Sequence, residues 1–395
     1  MNSQITHIIL LAFSLFGIIA CNSTGPNYQR IGKTNTTGTR ILSTPATQDE
    51  VIRLTHAVFL DEVPDGLATV DQIHVSPLDG SLVVGDFSIA KKVYRYTADG
   101  SFLGSVGRDG NGPGEYVDAR DVALDGQGNI YILDVAGIHA YDPNGTFRAS
   151  KLFLAPDERR NCYQIHAHKD SIYIYSSSRR TSEGVVALNP DLEVQNRFHP
   201  FDSRLEILGF YPKRMMTSHH DRLYLASPFG LELTTYTRDG TPQETLTFRE
   251  SAIDFDALAG KHPHRDRKEF EAEIQKMNRF EMIFAFEGKT FFYQSDMAQR
   301  RFVPGVILPE SKTMVQLPEF KLLGSKPDPH QPLIVEGLCG QTKDRLIGFV
   351  ANPDLIAHLN KELPGFQAPP EGIVLLFLEI TLNPDLVTDT SSGGA

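Results

Sequence analysis

The feature that most constrains this chain is a turn-plus-strand unit that recurs along its length. Residues 100–134, GSFLGSVGRDGNGPGEYVDARDVALDGQGNIYILD, show the unit most fully. The stretch reads as the end of one small β-sheet, a glycine-rich crossing, and the start of the next. Residues 107–116 group Gly107, Gly110, Gly112 and Gly114 around Pro113, so the backbone can turn sharply and lie close to a neighbour. Beyond the crossing, Val122, Leu124, Ile130, Ile132 and Leu133 supply strand-forming residues around the turn Asp125-Gly126-Gln127-Gly128.

Comparable hairpin turns occur at Leu78-Asp79-Gly80-Ser81, His168-Lys169-Asp170-Ser171, His219-His220-Asp221-Arg222, Phe286-Glu287-Gly288-Lys289 and Thr342-Lys343-Asp344-Arg345. Each is followed by a short apolar strand: LVVGD, IYIYS, LYLAS, TFFYQ and LIGFV, beside NIYILD of the first example. The six units are spaced by roughly 40 to 70 residues, which fits propeller blades of about 40 to 50 residues with insertions in some. A second series of turns, at residues 98–100, 143–145, 189–191, 238–240 and 308–310, falls where the outer two strands of blades one to five should meet.

The motif resembles the NHL-repeat family of β-propellers, within the wider TolB-like and NHL propeller superfamily. Gly107, Gly110, Gly112, Pro113, Gly114, Tyr116, Asp125, Gly128, Ile130, Tyr131, Ile132 and Asp134 match the family's glycine-rich crossing and its D-x-x-G-x-[IL]-Y-[VI]-x-D strand. The resemblance covers blades one and two, roughly residues 67–153, and is carried beyond them by turn spacing alone. It implies an all-β fold, a six-bladed β-propeller spanning residues 50–388. Blade six runs out of chain before its fourth strand, and residues 51–63, VIRLTHAVFLDEV, form an early strand without a sheet, so this N-terminal strand is expected to close the last blade.

Residues 1–20 read as an export signal. The apolar run at residues 8–19 is too short for the roughly 20 residues that span a bilayer. It ends in Ile18-Ile19-Ala20-Cys21, which resembles the lipobox of bacterial lipoproteins and implies that Cys21 is the lipidation site; the n-region holds no Lys or Arg. Residues 21–49, rich in Ser, Thr, Asn and Gly, read as a flexible tether, and 389–395 as a disordered tail. The whole resembles the lipid-anchored six-bladed propellers common in Bacteroidetes-like bacteria, which places it at the cell envelope, attached to the outer membrane by its N-terminal lipid.

The formal net charge of −11 argues against nucleic acid or anionic lipid as a partner. Only Cys162 and Cys339 remain besides Cys21, so neither a disulfide framework nor a zinc cluster organises the fold. The two cysteines fall on first strands of opposite blades and are expected to stay free thiols.

Long connections gather on one face, at residues 107–116, 155–161, 176–184, 200–212, 249–279 and 352–370, and binding residues concentrate on loops held by a rigid scaffold. Within the insertion 254–279, Phe270, Ile274 and Met277 form an i, i+4, i+7 stripe that predicts a capping helix, and residues 355–363 predict a second. Aligning the first strands on their turns brings Arg120, Asp121, Lys213, Arg214, Arg279 and Glu336 to the channel mouth, with Gln72 and Glu281. This mixed ring suits a charged ligand and equally suits a self-paired rim. His166, His168, His219 and His220 fall near the other end of the first strands and read as polar turn residues; Asp86 and Asp134 read as caps of backbone N–H groups.

No cofactor and no metal site is expected, because Arg120, Lys213 and Arg214 interleave with the available carboxylates and would repel a cation. The leading expectation is a lipid-anchored propeller that binds or scaffolds a protein, peptide or glycan on its loop-rich face. The alternative is a metal-dependent hydrolase or lyase of the six-bladed, lactonase-like type.

Overall fold

The computed structural model describes residues 39–43, 51–64, 66–152, 162–176, 183–202, 204–205, 214–258, 261, 265–286, 288–298, 301–317, 337–382 and 388–389. Two strands precede the first blade, β1 (Arg40–Ser43) and β2 (Ile52–Leu60). Blade one follows as β3 (Gln72–Val75), β4 (Leu82–Asp86), β5 (Lys92–Tyr96) and β6 (Phe102–Ser105). The glycine-rich crossing contains the two-residue strands β7 (Arg108–Asp109) and β8 (Glu115–Tyr116), paired in parallel.

Blade two is β9 (Ala119–Leu124), β10 (Ile130–Asp134), β11 (Gly137–Tyr141) and β12 (Phe147–Leu152). Blade three is β13 (Cys162–His168), β14 (Ser171–Ser176), β15 (Glu183–Leu188) and β16 (Val194–Pro200). Blade four is β17 (Met216–His219), β18 (Arg222–Ala226), β19 (Leu231–Thr237) and β20 (Pro242–Arg249). After helices α1 (Phe255–Leu258) and α2 (Arg267–Ile274), blade five is β21 (Asn278–Phe286), β22 (Lys289–Asp296), β23 (Arg301–Leu308) and β24 (Thr313–Gln316). Blade six is β25 (Gly337–Gln341), β26 (Leu346–Val350) and, beyond α3 (Pro353–Glu362), β27 (Ile373–Ile380); a last short strand is β28 (Thr388–Asp389).

Every blade is antiparallel and ordered outward from its first strand. The fourth strand of blade six is β2, which pairs with β27 from Ile52↔Ile380 to Leu60↔Ile373, as the early apolar strand predicts. Blades six and one also join at the axis, where β25 and β3 pair in parallel through Gly340↔Ile73. The second strands are buried on both faces because each is packed between two neighbouring blades: β4 and β10 are buried at all five positions. The outermost strands β6 and β12 alternate between intermediate and exposed positions along their length, because solvent replaces a neighbour on one face.

Local chemistry accounts for the turns. In blade two, Asp125 Oδ1 accepts from Gln127 N and Asn129 N, each at 2.9 Å, and its Oδ2 from Asn129 Nδ2 at 2.8 Å and Tyr131 OH at 2.9 Å. Asp86 accepts from Ala68 N, Thr69 N, Ile89 N and Ala90 N, all within 3.0 Å, and Asp134 from Asp118 N at 2.8 Å. Both aspartates therefore hold backbone N–H groups of the crossing loops. Gly107 has φ 69°, and a Cβ there would stand 2.6 Å from Tyr141 OH and 2.8 Å from Tyr116, so the crossing can lie against blade two only with glycine at this point.

Sequence expectations need correction at several edges. Residues 21–49 are not a tether throughout, because Arg40–Ser43 forms β1, which pairs in parallel with β24 and in turn with β28, giving blade five a six-strand sheet. Ile41 and Leu42 pack on the cores beside blade five, a pair of apolar contacts hidden among polar neighbours in the sequence. β28 likewise includes Asp389, the first residue of the expected tail, whose other residues lie outside the described ones. The helix in the 254–279 insertion ends at Ile274, with Phe270 buried, and Met277 N bonds to Ile274 O at 2.9 Å as the chain leaves the helix toward β21. α3 starts two residues ahead of the expected 355, at Pro353, with the Asn352 side chain accepting from Asp354 N and Leu355 N and Pro353 in the first turn.

Candidate functional site

Six first strands, β3, β9, β13, β17, β21 and β25, surround the axis with their outer edges already paired. Apart from the short β25–β3 ladder, their inner edges carry backbone groups that no strand pairs with, and side chains bond to several of them. Between adjacent blades, Gln72 Oε1 accepts from Val122 N at 3.4 Å, Asp121 Oδ2 from Ile165 N at 2.8 Å, Gln164 Oε1 from Met215 N at 2.8 Å, and Thr217 Oγ1 from Ala285 N at 2.9 Å. Gln341 Nε2 donates back to Ala285 O at 2.9 Å. Each link runs from one blade to the next.

Toward the tight-turn face, histidines continue the pattern. His74 Nε2 lies 2.8 Å from Val122 O and 2.9 Å from Gln72 Nε2. His166 Nε2 meets Ser218 Oγ at 2.7 Å, His168 bonds to His220 O, and His219 Nε2 accepts from Gly288 N at 2.7 Å. The histidines read from sequence as turn residues thus link neighbouring blades. Burial lowers His74 to about 4, aided by the Arg214 charge, and lowers His166 to about 3, so both are neutral at neutral pH. A polar residue at mid-strand in otherwise apolar first strands, such as Gln164 and Thr217, was the available signal for this belt.

The predicted mouth residues separate into distinct situations. Asp121 is buried and engaged with blade three. Arg120 donates to Cys162 O at 3.4 Å and lies 5.9 Å from the Tyr163 ring. Arg279 forms a two-pronged pair with Glu281, at 3.0 Å and 3.1 Å. Lys213 and Glu336, like the lipidation candidate Cys21, lie outside the described residues.

Arg214 differs from the others. It precedes β17 in blade four, its Nη1 donates to Leu338 O of blade six at 3.3 Å, and its guanidinium stands 5.7 Å from the Phe284 ring of blade five. The charges of Asp121 in blade two and Asp71 before blade one act on it as well. A group that senses blades one, two, five and six from a root in blade four stands near the axis. Burial lowers its pKa. Its Nη2 is shielded from solvent and has no hydrogen-bond partner, and its backbone is held at φ 56°, a left-handed conformation uncommon for a non-glycine residue.

Six radial four-stranded blades around a side-chain-bridged axis define a six-bladed β-propeller. The chain belongs to the DUF5128 family, described as a 6-bladed beta-propeller, whose model matches residues 64–320. No curated protein matches the sequence. Among solved structures, an exported protein of Bacteroides fragilis is 15% identical, with a TM-score of 0.61 over 87% of this chain and 99% of that one. A member of the DUF4221 family from Bacteroides vulgatus is 8% identical, with a TM-score of 0.52 over 85% and 100%. A gluconolactonase of Xanthomonas campestris is 13% identical, with a TM-score of 0.45 over 87% and 99%. At these identities the likeness is one of fold.

Proposed function

We propose that this protein is an exported, lipid-anchored propeller that binds a ligand at the loop-rich mouth of its central channel. The observation that carries the reading is the contrast among the polar groups around the axis. The carboxylate of Asp121 and the imidazoles of His74, His166 and His219 are engaged in holding the ring together. A cationic group, Arg214, is held in a strained conformation with a donor left over. Strain and an unmatched buried donor persist where function requires them, and carboxylates engaged with backbone are poorly placed to collect a metal for lactonase-like hydrolysis. The lipobox-like Ile18-Ile19-Ala20-Cys21 supplies the anchor in this reading. No helix among the described residues is long and apolar enough to cross a membrane.

Two experiments test it. A thermal-shift screen of the mature protein against glycans, peptides, organic acids and divalent cations should give stabilisation by at least one organic ligand without turnover. Stabilisation by a divalent cation accompanied by hydrolase activity would favour an enzyme instead. For the anchor, Cys21→Ser should abolish lipid attachment and move the protein from the membrane fraction; an unmodified Cys21 in the wild-type mature chain would sink that part.

A further inference from the structure

Of the described cationic groups at the mouth, Arg214 alone combines three features: an axial position, a stranded Nη2 and a left-handed backbone. The residue as a whole is partly open to solvent, while its Nη2 is shielded. Beside it stand an apolar wall, Phe284, and the carbonyl of Leu338, which already occupies Nη1. Among the described residues no carboxylate lies within ion-pair distance of the Arg214 guanidinium. Guanidinium groups with unfilled planar donors select planar oxyanions, and one such group can neutralise one negative charge. A dianion would leave a net negative charge near the axis, close to the carboxylates of Asp121 and Asp71 that already act on Arg214.

We propose that the central channel contains a carboxylate site centred on Arg214, which takes a singly charged organic acid or the C-terminal carboxylate of a peptide. This rests on the reading of the channel mouth as a binding site and names the ligand chemistry. The carboxylate supplies the acceptor that Nη2 lacks, and the Phe284 face accommodates an apolar group next to it. Specificity beyond the carboxylate comes from the loops around the mouth.

The test uses the full mature protein at pH 7 and fixed ionic strength, with chloride as the control. Acetate and propionate should raise Tm by about 1–2 °C at roughly tenfold their half-saturating concentration. They should also slow phenylglyoxal modification of Arg214, read by peptide mass spectrometry, and inorganic phosphate should not. A tripeptide and its C-terminal amide separate the two sources. Protection by the free tripeptide well below the propionate concentration, and none by the amide, assigns a peptide terminus; no gain over propionate assigns a free acid.

Arg214→Gly removes the guanidinium and relaxes the φ 56° backbone. Its ligand-free Tm should hold or rise while the carboxylate shift disappears. Should that variant fail to fold, the protection measured on the wild-type protein still decides. Absence of protection by every carboxylate, or stronger protection by phosphate, overturns the carboxylate site; stabilisation by a glycan in the same screen would then leave the broader binding reading standing. A Tm several degrees lower in Arg214→Gly, with no protection in the wild type, would make Arg214 a brace through Leu338 and overturn the proposal.

Discussion

Blades two and six contain the same four-stranded plan and are specified in different ways. Blade two is continuous, from Ala119 to Leu152, and its hairpin is organised by one carboxylate, Asp125, that accepts four hydrogen bonds. Blade six is assembled from β25, β26 and β27 near the end of the chain and from β2 near its beginning. No local turn chemistry can place β2; its alternating apolar face and the ring around it must. The difference teaches that turns determine where blades begin and end, whereas long-range burial determines whether the ring closes.

Removing residues 51–63 is the most damaging way to break that comparison. Ile52, Val58 and Leu60 are buried, and losing these three side chains alone forfeits about 5 kcal/mol or more, while the bare edge of β27 becomes a template for aggregation. Cooperative thermal unfolding should be lost and the protein should associate on sizing columns; an unchanged melting curve would show that closure does not depend on β2.

A subtler variant strikes the same seam. Gly100 has φ 93°, and a Cβ there would stand 1.9 Å from Phe59 O of β2. Gly100→Ala should therefore cost about 2–3 kcal/mol through strain and displacement of β2. Hydrogen exchange should accelerate in blades six and one together. Exchange confined to the turn at residues 97–101 would mean that β2 is free to shift.

In blade two, Asp125→Ala should cost about 2 kcal/mol, because it strands the buried Tyr131 hydroxyl and two turn N–H groups. Its effect on hydrogen exchange should stay within residues 119–152. Spread to blade six would erase the distinction between local and long-range specification.

Acid gives a milder perturbation. The folded pKa values of His74, about 4, and His166, about 3, lie below the ordinary 6.5, so the unfolded chain binds more protons between these limits. Stability should consequently fall as pH drops from about 6.5 toward 4 and not on the alkaline side. His74 faces the Arg214 charge, and His166 faces His168 and His74, which adds to the resistance to protonation. Tm measured from pH 8 to 4 checks this, and His74→Gln should flatten part of the slope.

The smallest effect concerns the thiols. Cys162 and Cys339 are buried and in no disulfide, and burial pushes Cys339 up to about 12. Without reductant, both should label with a maleimide only after denaturation, and incubating the folded protein with the maleimide should leave Tm unchanged.

Much of this architecture was legible because a small set of residues produces each turn. Asp-Gly pairs, the apolar pentads after them, Asn352-Pro353 at the start of α3 and the alternating β2 strand each carry a local physical signature. The belt around the axis was less legible. Asp121 in isolation reads as an exposed mouth carboxylate; only the approach of Ile165 N from the next blade shows what it holds. His166 and Ser218 are likewise separated by one repeat, and no pattern within either strand announces the pairing. Strand alignment alone brings Arg214 to the mouth, but its backbone strain and stranded Nη2 are properties of assembled blades rather than of any segment. β1 escapes a sequence reading because four residues inside a polar stretch carry too little apolar area to signal a strand.

That added strand changes how the molecule carries mechanical load. A pull on the chain upstream of Arg40 is met first by β1, whose four residues are zipped alongside β24 in parallel from Arg40↔Thr313 to Ser43↔Gln316. The force enters at the rim of blade five and reaches β2, the clasp of the ring, only after this ladder gives way. β1 therefore acts as a strain relief, and a tug from upstream of Arg40 can peel the rim without springing the clasp.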